Sequence, residues 1–324
     1  MILLNLAPVK FHYFAVYLSC LKSMRDFMAK FKILFFILPF LSCVSFGSFA
    51  DEKPEREYEY PETVRIVSLV NDAVKFLEAN GELAFFEFNK KDSKWFSGDV
   101  YIEVFDINGI RYVDPSDLSR MGRDEKSLTD AIGKKFVQWI IADLQSPGRD
   151  HTWAHYMWTK PGATTPSWKS SYFKKAYTHS GRIYIVGTGL YDIRTEKAFI
   201  LDTLDLAIAD SKTKGTQCFN DFRNKQSRFY FRDVYIFVMS EDGVHLADPI
   251  FTNMEGQNTI NLKDIKGDFF VQKFIKEALY DKYTWIEHIY PYPDTRVPTR
   301  KRSCVKKINI DNIPYIIGSG QYLQ

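Results

Sequence analysis

Lys169 and Lys301 hold matching places in two halves of the sequence, 132 residues apart. Ahead of Lys169, Trp153, Tyr156 and Trp158 fall on a strand-like segment, where alternation puts Tyr156 and Trp158 on one sheet face and Trp153 on the other with His155. A cation beside aromatic rings with polar tips suits an organic acid, Lys169 supplying the charge. The same rings serve equally well as core. Packing does not require a lysine at the same place in both halves, so its recurrence favours a binding role over a solvated strand position. Tyr101 and Arg111, matched by Tyr235 and His245, are a second tier, since a lone arginine on a strand is more often at the surface.

Other chemistries find no pattern. His151 and His155 are four apart, about 13 Å along a strand at ~3.3 Å per residue, too far to share one metal. HExxH, CxxC and GxSxG are absent, and no Ser-His-Asp or paired-carboxylate spacing stands out. Gly187-x-Gly189 and Gly318-x-Gly320 lie inside expected closing strands, where glycine allows close backbone approach rather than cradling a nucleotide. The expectation is a non-enzyme with no catalytic residue, metal or cofactor.

These residues sit in a duplicated frame. Asp99–Pro115 (DVYIEVFDINGIRYVDP) and Asp233–Pro249 (DVYIFVMSEDGVHLADP) share eight identities at an offset of 134. Asn108-Gly109 and Asp242-Gly243 mark the turn of a hairpin in each. Asp114-Pro115 and Asp248-Pro249 are expected to organise the turn that follows, Asp by accepting nearby backbone N–H groups. Upstream, apolar residues spaced by three and four predict helices over Glu62–Asn80 and Lys197–Asp210, the first stopped by Gly81. Downstream come helices over Lys134–Leu144 and Asp268–Leu279, strands over Thr152–Trp158 and Thr284–Tyr290, and closing strands over Ile183–Tyr191 and Pro314–Tyr322. The offset falls to 132 and then 131, the missing residues being assigned to loops, where length changes are cheap. The fold class is α+β: two units, 62–192 and 197–323, each a mostly antiparallel sheet behind an N-terminal helix.

Residues 1–50 read as a secretory signal peptide: MAKFK from Met28, the apolar run ILFFILPFLSCVSF, then Ser48 and Ala50 before a charged stretch. The true start is then Met24 or Met28. No later apolar run reaches membrane length, so a periplasmic or secreted protein with no stable membrane insertion after cleavage is expected. Past Ala50 the chain carries 38 bases and 39 acids, which leaves no electrostatic footprint for nucleic acid. Cys218 and Cys304 remain in an oxidising compartment and form a candidate disulfide, two buried free thiols being the alternative. The basic run Arg296–Arg302 reads as a solvated loop or a docking edge for an acidic partner.

The spaced pattern of Gly81, FFEFN, DVYIEVFDING, Gly122, Asp130, Gly133-Lys134, Trp153, Tyr156, Trp158, Pro161, Lys169, Tyr172 and VGTGLY resembles the single Cache domain, a PAS-like extracytoplasmic ligand-sensing module. The second copy resembles it with changes: His288 for Tyr156, Tyr290 for Trp158, Cys304 for Tyr172, and Asp268 for Lys134. The resemblance implies a pocket over one sheet face for a small molecule, often a carboxylate, and adds Tyr172, His288, Tyr290 and Lys301 to the candidate ligand-binding residues. The first unit is expected to hold the working site. The expected partners are a small organic acid and a separate membrane sensor kinase or chemoreceptor, and the rival reading is a protein-interaction scaffold.

Overall fold

The computed structural model describes residues 57–279 and 282–323, and in it the duplication becomes two five-stranded antiparallel sheets of identical strand order. The signal-peptide reading lies outside the described residues.

The first unit opens with α1 (Pro61–Asn80), whose Ile66, Val70, Ala73, Val74 and Leu77 form a buried stripe. Val64, which also fits the three-and-four spacing, is exposed, because the buried face runs through Ile66 instead. Gly81, at φ 60°, ends the helix by turning its N–H back to the Leu77 carbonyl. That backbone angle costs glycine least. A short helix α2 (Ala84–Phe88) and a two-stranded ribbon, β1 (Phe96–Ser97) with β2 (Val100–Tyr101), lead into the hairpin of β3 (Glu103–Asp106) and β4 (Arg111–Val113). Asp106 Oδ1 holds the turn by accepting the Asn108 and Ile110 N–H groups at 2.9 Å each. Then follow α3 (Phe136–Gln145), β5 (His151–Thr159), β6 (Pro166–Tyr177) and β7 (Ile183–Tyr191), in the sheet order β4-β3-β7-β6-β5. Helix α1 covers one face through β6 and β7, and α3 covers the other through β5 and β6.

The second unit repeats this plan. It comprises α4 (Lys197–Lys214), α5 (Cys218–Arg223), β8 (Tyr230–Phe231), β9 (Val234–Tyr235), β10 (Phe237–Ser240), β11 (His245–Ala247), α6 (Phe270–Ala278), β12 (Thr284–Pro291), β13 (Pro298–Ile310) and β14 (Ile313–Tyr322). Its sheet order is β11-β10-β14-β13-β12. Helix α4 runs past the expected end at Asp210 and stops where Gly215 adopts φ 57°.

The two units share one apolar core, in which Phe199 of α4 packs on Trp153 of β5 at 4.7 Å between ring centroids. His155 stacks on Phe231 across the same boundary at 3.8 Å. Polar groups reinforce it: buried Lys134 donates from Nζ to the carbonyls of Ser227 (2.7 Å) and Tyr230, and Arg228 bridges Asp143 and Asp210. The expected disulfide is not formed. Cys218 on α5 and Cys304 on β13 are free thiols, each packed as a small apolar side chain in the shared core. Burial pushes the Cys218 thiol up to about 12, and that of Cys304 higher still.

Candidate functional site

Strand alternation divides the sequence candidates in two. Trp153 and Tyr172 are register partners on the face toward α1 and α4, their rings 5.2 Å apart in the shared core. They therefore do not join Lys169, and their place among the expected ligand-binding residues is corrected to core. The face under α3 carries the others. Tyr156 is the register partner of Lys169, stacks on Phe136 at 4.0 Å and exchanges a 2.9 Å hydrogen bond with Ser171. Trp158 packs edge-on to Phe136 beneath the Arg120 guanidinium. Lys169 Nζ donates to the Tyr101 hydroxyl at 3.1 Å and lies over that ring.

Around Lys169 the first unit builds a closed charge network that the sequence reading missed. Glu103 Oε1 lies 3.7 Å from the Lys169 ammonium, and Glu103 Oε2 accepts from Arg111 at 2.6 Å. Arg111 also donates to Glu125 at 2.8 Å, and Arg120 donates to Glu125 at 2.7 Å and to Asp114 at 2.6 Å. Three cations thus face three carboxylates in a buried cluster, consistent with the rule that buried charges are paired. Burial alone lowers a lysine, but the Tyr101 and Tyr156 oxygens together with Glu103 outweigh it and hold Lys169 well above its usual range. Arg111, a second-tier binding candidate with a surface strand position as its alternative, is buried at the centre of this network, answered by Glu103 and Glu125.

At an offset of 134 the second unit replaces most of that network. Glu103 becomes Phe237, Glu125 becomes Thr259, Arg120 becomes Met254 and Arg111 becomes His245, while Asp114 is kept as Asp248. Lys301, the counterpart of Lys169, is equally buried, yet its ammonium makes no hydrogen bond or ion pair among the described residues. It is held by ring faces: Tyr235 at 3.9 Å, Tyr322 at 4.9 Å and Tyr290 at 5.6 Å from the centroids. Burial pushes it down to about 8, with Asp248 and Asp233 opposing the shift.

Beside Lys301 lies a cavity of about 20 Å³, bounded by Tyr235, His245, Asp248, Met254, His288 and Tyr290 among others. One water needs about 10–15 Å³ by such a measure. Its polar lining is under-used. The Tyr235 hydroxyl, His245 Nε2 and His288 Nδ1 are buried without a hydrogen-bond partner. His288 Nε2 meets the Ser303 hydroxyl at 3.0 Å, and burial followed by the Lys301 charge lowers its pKa to about 3, so its ring is neutral. Asp248 Oδ1 accepts the Ile250 and Phe251 N–H groups, organising the turn as expected, while Oδ2 lies 3.5 Å from His245 Nε2. The floor depends on Gly318, register partner of Phe237: a Cβ there would stand 2.2 Å from the Phe237 ring.

The basic run Arg296–Arg302 is no continuous patch. Arg300 and Arg302 pair with Glu287, Arg296 donates to the Ile250 carbonyl, and Lys301 between them points inward. Among the described residues, no helix is long and apolar enough to cross a membrane.

Comparison with known proteins agrees with this frame. The family model described as Single Cache domain 2 matches residues 70–203, and a second, described as Cache domain, matches residues 224–324. No curated protein matches the chain. Among solved structures, a periplasmic sensor domain of a chemotaxis protein is 24% identical, with a TM-score of 0.34, covering 41% of this chain and 96% of its own. A Cache chemosensory domain described for carboxylic acid recognition is 23% identical, with a TM-score of 0.34, covering 41% and 94%. The ligand-binding domain of Pseudomonas fluorescens chemoreceptor CtaA in complex with L-isoleucine is 13% identical, with a TM-score of 0.31, covering 81% and 84%. Cache domains are extracellular ligand-sensing modules rather than catalytic ones. With both halves matched and two equivalent sheets in place, this chain belongs to the Cache family and carries two Cache modules in tandem.

Proposed function

We propose that this chain senses a short organic carboxylate, and that the second module takes it, against Lys301. The observation that carries this reading is the contrast between the two lysines: Lys169 is answered by Glu103 from its own sheet, whereas Lys301 is buried with no anion within ion-pairing distance among the described residues. Keeping a charged group buried without an opposite charge is costly, so its low pKa and its aromatic surroundings describe a site prepared for an anion from outside. A carboxylate there meets donors that otherwise go unused, the Lys301 ammonium and the Tyr235 hydroxyl, with His245 and His288 beside them.

The sequence reading favours the first module, and the closed network around Lys169 is what moves the proposal to the second. There an incoming acid must displace Glu103, which already serves Lys169 and Arg111. Cavity size bounds the ligand. At about 20 Å³, a fit for even a two- or three-carbon acid requires half-buried Met254 to swing at the rim. Flexible methionine makes such adjustment cheap. Export from the cytoplasm, and a report to a separate receptor or kinase, complete the proposal.

Thermal-shift screening of the chain against formate, acetate, propionate and larger acids tests it. A ligand at 100 times its dissociation constant stabilises by about 2.7 kcal/mol. Stabilisation by the shortest acids, fading with chain length, is expected; none by any acid sinks the reading.

A further inference from the structure

The loop that follows the Asp-Pro turn is fastened differently in the two modules. In the first it is pinned from within: Arg120 donates to Asp114 and to Glu125, and Met121 beside it is exposed. In the second, Met254 stands in place of Arg120, so that inner pin is gone, and Glu255 stands in place of Met121. The same offset of 134 turns Asn89, whose amide donates to the Phe85 carbonyl of its own helix, into Arg223. Both halves of an ion pair thus arise together, and they meet: Arg223 Nε donates to the two Glu255 oxygens at 2.8 and 3.1 Å.

This pair straps α5 to the roof of the Lys301 cavity. Met254, next to Glu255, lines the cavity, and its sulfur accepts from the Tyr290 hydroxyl at 3.5 Å. The roof is anchored at both ends: Asp248 Oδ1 accepts the Ile250 and Phe251 N–H groups, and the His245 carbonyl accepts the Gly256 N–H at 2.8 Å. Between those anchors the chain makes a single turn, Thr252–Met254. Arg223 is the fixed end of the strap, since it also donates to the Leu246 carbonyl at 2.6 Å and to Asn220 at 3.2 Å. Glu255 is the movable end, its one other bond being a 3.4 Å contact from the Asp248 N–H. Adjacent Cα atoms are about 3.8 Å apart, so swinging Met254 off the rim draws Glu255 away from Arg223.

We propose that the Arg223–Glu255 ion pair is a latch that holds this roof shut over the Lys301 cavity and breaks when a carboxylate enters. The inference rests on the reading that Lys301 takes an acid. With the strap intact the cavity measures about 20 Å³, which is the latched state. Latching and binding compete for one position of the roof, so the latch lowers affinity by the fraction of time it keeps the roof closed. The two side chains are 36% and 24% exposed, and a partly solvated pair of this kind shifts an equilibrium by up to about fivefold.

The test combines calorimetric titration of the full chain with sodium acetate and hydrogen exchange of the acetate-free chain, on the unaltered protein, Glu255→Gln, Arg223→Gln and the double variant. Each single variant is expected to bind acetate about threefold to fivefold more tightly, and the double variant no more tightly than either, since one pair is lost in all three. A pair that merely shapes the site would weaken binding when lost. Without acetate, the amides of residues 250–255 are expected to exchange faster in all three variants, while those of β7 in the first module do not change. Acetate affinity that stays the same or falls in Glu255→Gln, or unaltered exchange of residues 250–255, overturns the latch. If acetate binds none of the four proteins, the carboxylate reading fails and exchange alone decides: acceleration confined to the roof upholds the latch, and its absence overturns it.

Discussion

Glu103 and Lys169 lie 3.7 Å apart, both buried beneath α3, and the second module sets Phe237 and Lys301 at the same two places. One substitution separates a lysine whose counter-ion is built in from a lysine whose counter-ion must arrive. The duplicated backbone presents both ammonium groups alike, so their different environments follow from side chains alone.

Glu103→Leu in the first module leaves Lys169 and part of Arg111 unanswered in the interior. Breaking a buried pair by removing one partner costs about 3–5 kcal/mol. Denaturant unfolding monitored by circular dichroism is expected to show a loss of that size. The double variant Glu103→Leu/Lys169→Met recovers part of it, since no lone lysine then remains there.

Carboxylate affinity at the second module is expected to depend on pH through Lys301, lowered to about 8 in the folded chain. The groups facing it are Asp248 and Asp233, which favour its charge, and the Tyr235, Tyr290 and Tyr322 rings. A folded pKa below the ordinary lysine value means that the ligand-free chain gains stability as pH rises from about 8 toward 10.5. Binding runs the other way. A carboxylate needs the charged ammonium, so affinity is flat below about pH 8 and then falls by up to about tenfold per unit. Titrations between pH 6.5 and pH 9.5, roughly the span over which Lys301 titrates, read this directly. Affinity is the cleaner observable because Lys134, lowered by burial to about 7, titrates in the same range at the inter-module contact.

Much of the scaffold was legible in the chain. Identities at a constant offset, two glycine-stopped helices and the NG and DG turns specify two similar α+β units, and Ile183–Tyr191 forms the closing strand as read. Alternation splits Trp153 from Tyr156, and the same alternation places Tyr172, the register partner of Trp153, on the core face away from Lys169. The charge network was harder because Glu103, Arg111, Arg120 and Glu125 are distant in local context, and only folding of the hairpin and its following loop joins them. A signal for it did exist: the aligned exchanges Glu103/Phe237, Glu125/Thr259 and Arg120/Met254 remove charge together. Cysteine pairing was not legible, since it depends on where two side chains point.

Gly318→Ala is expected to damage both stability and ligand binding. The new Cβ would sit 2.2 Å from the Phe237 ring, which borders the Lys301 cavity and has to move. Overpacking of this kind costs about 1–3 kcal/mol. Gly318→Ala should therefore lower the melting temperature and abolish acid-induced stabilisation, whereas Gly181→Ala, strained by φ 79° at an open turn, lowers the melting temperature but leaves acid-induced stabilisation in place.

Both cysteines of the described region should behave as protected thiols. In the folded chain, iodoacetamide is expected to leave the peptides bearing Cys218 and Cys304 unlabelled, because each is buried and its pKa is raised by burial. After denaturation without reductant, both label. Mass spectrometry of the digested chain distinguishes this from a disulfide, which would stay unlabelled until reduced.

The central claim is that the second module, through Lys301, takes the acid. Calorimetric titration of the chain with acetate and propionate, in parallel with Lys301→Met and Lys169→Met, tests it most directly. The account predicts saturable one-site binding that Lys301→Met abolishes and Lys169→Met leaves within about twofold, well below the tenfold that corresponds to 1.4 kcal/mol. Binding that survives Lys301→Met and disappears with Lys169→Met contradicts it.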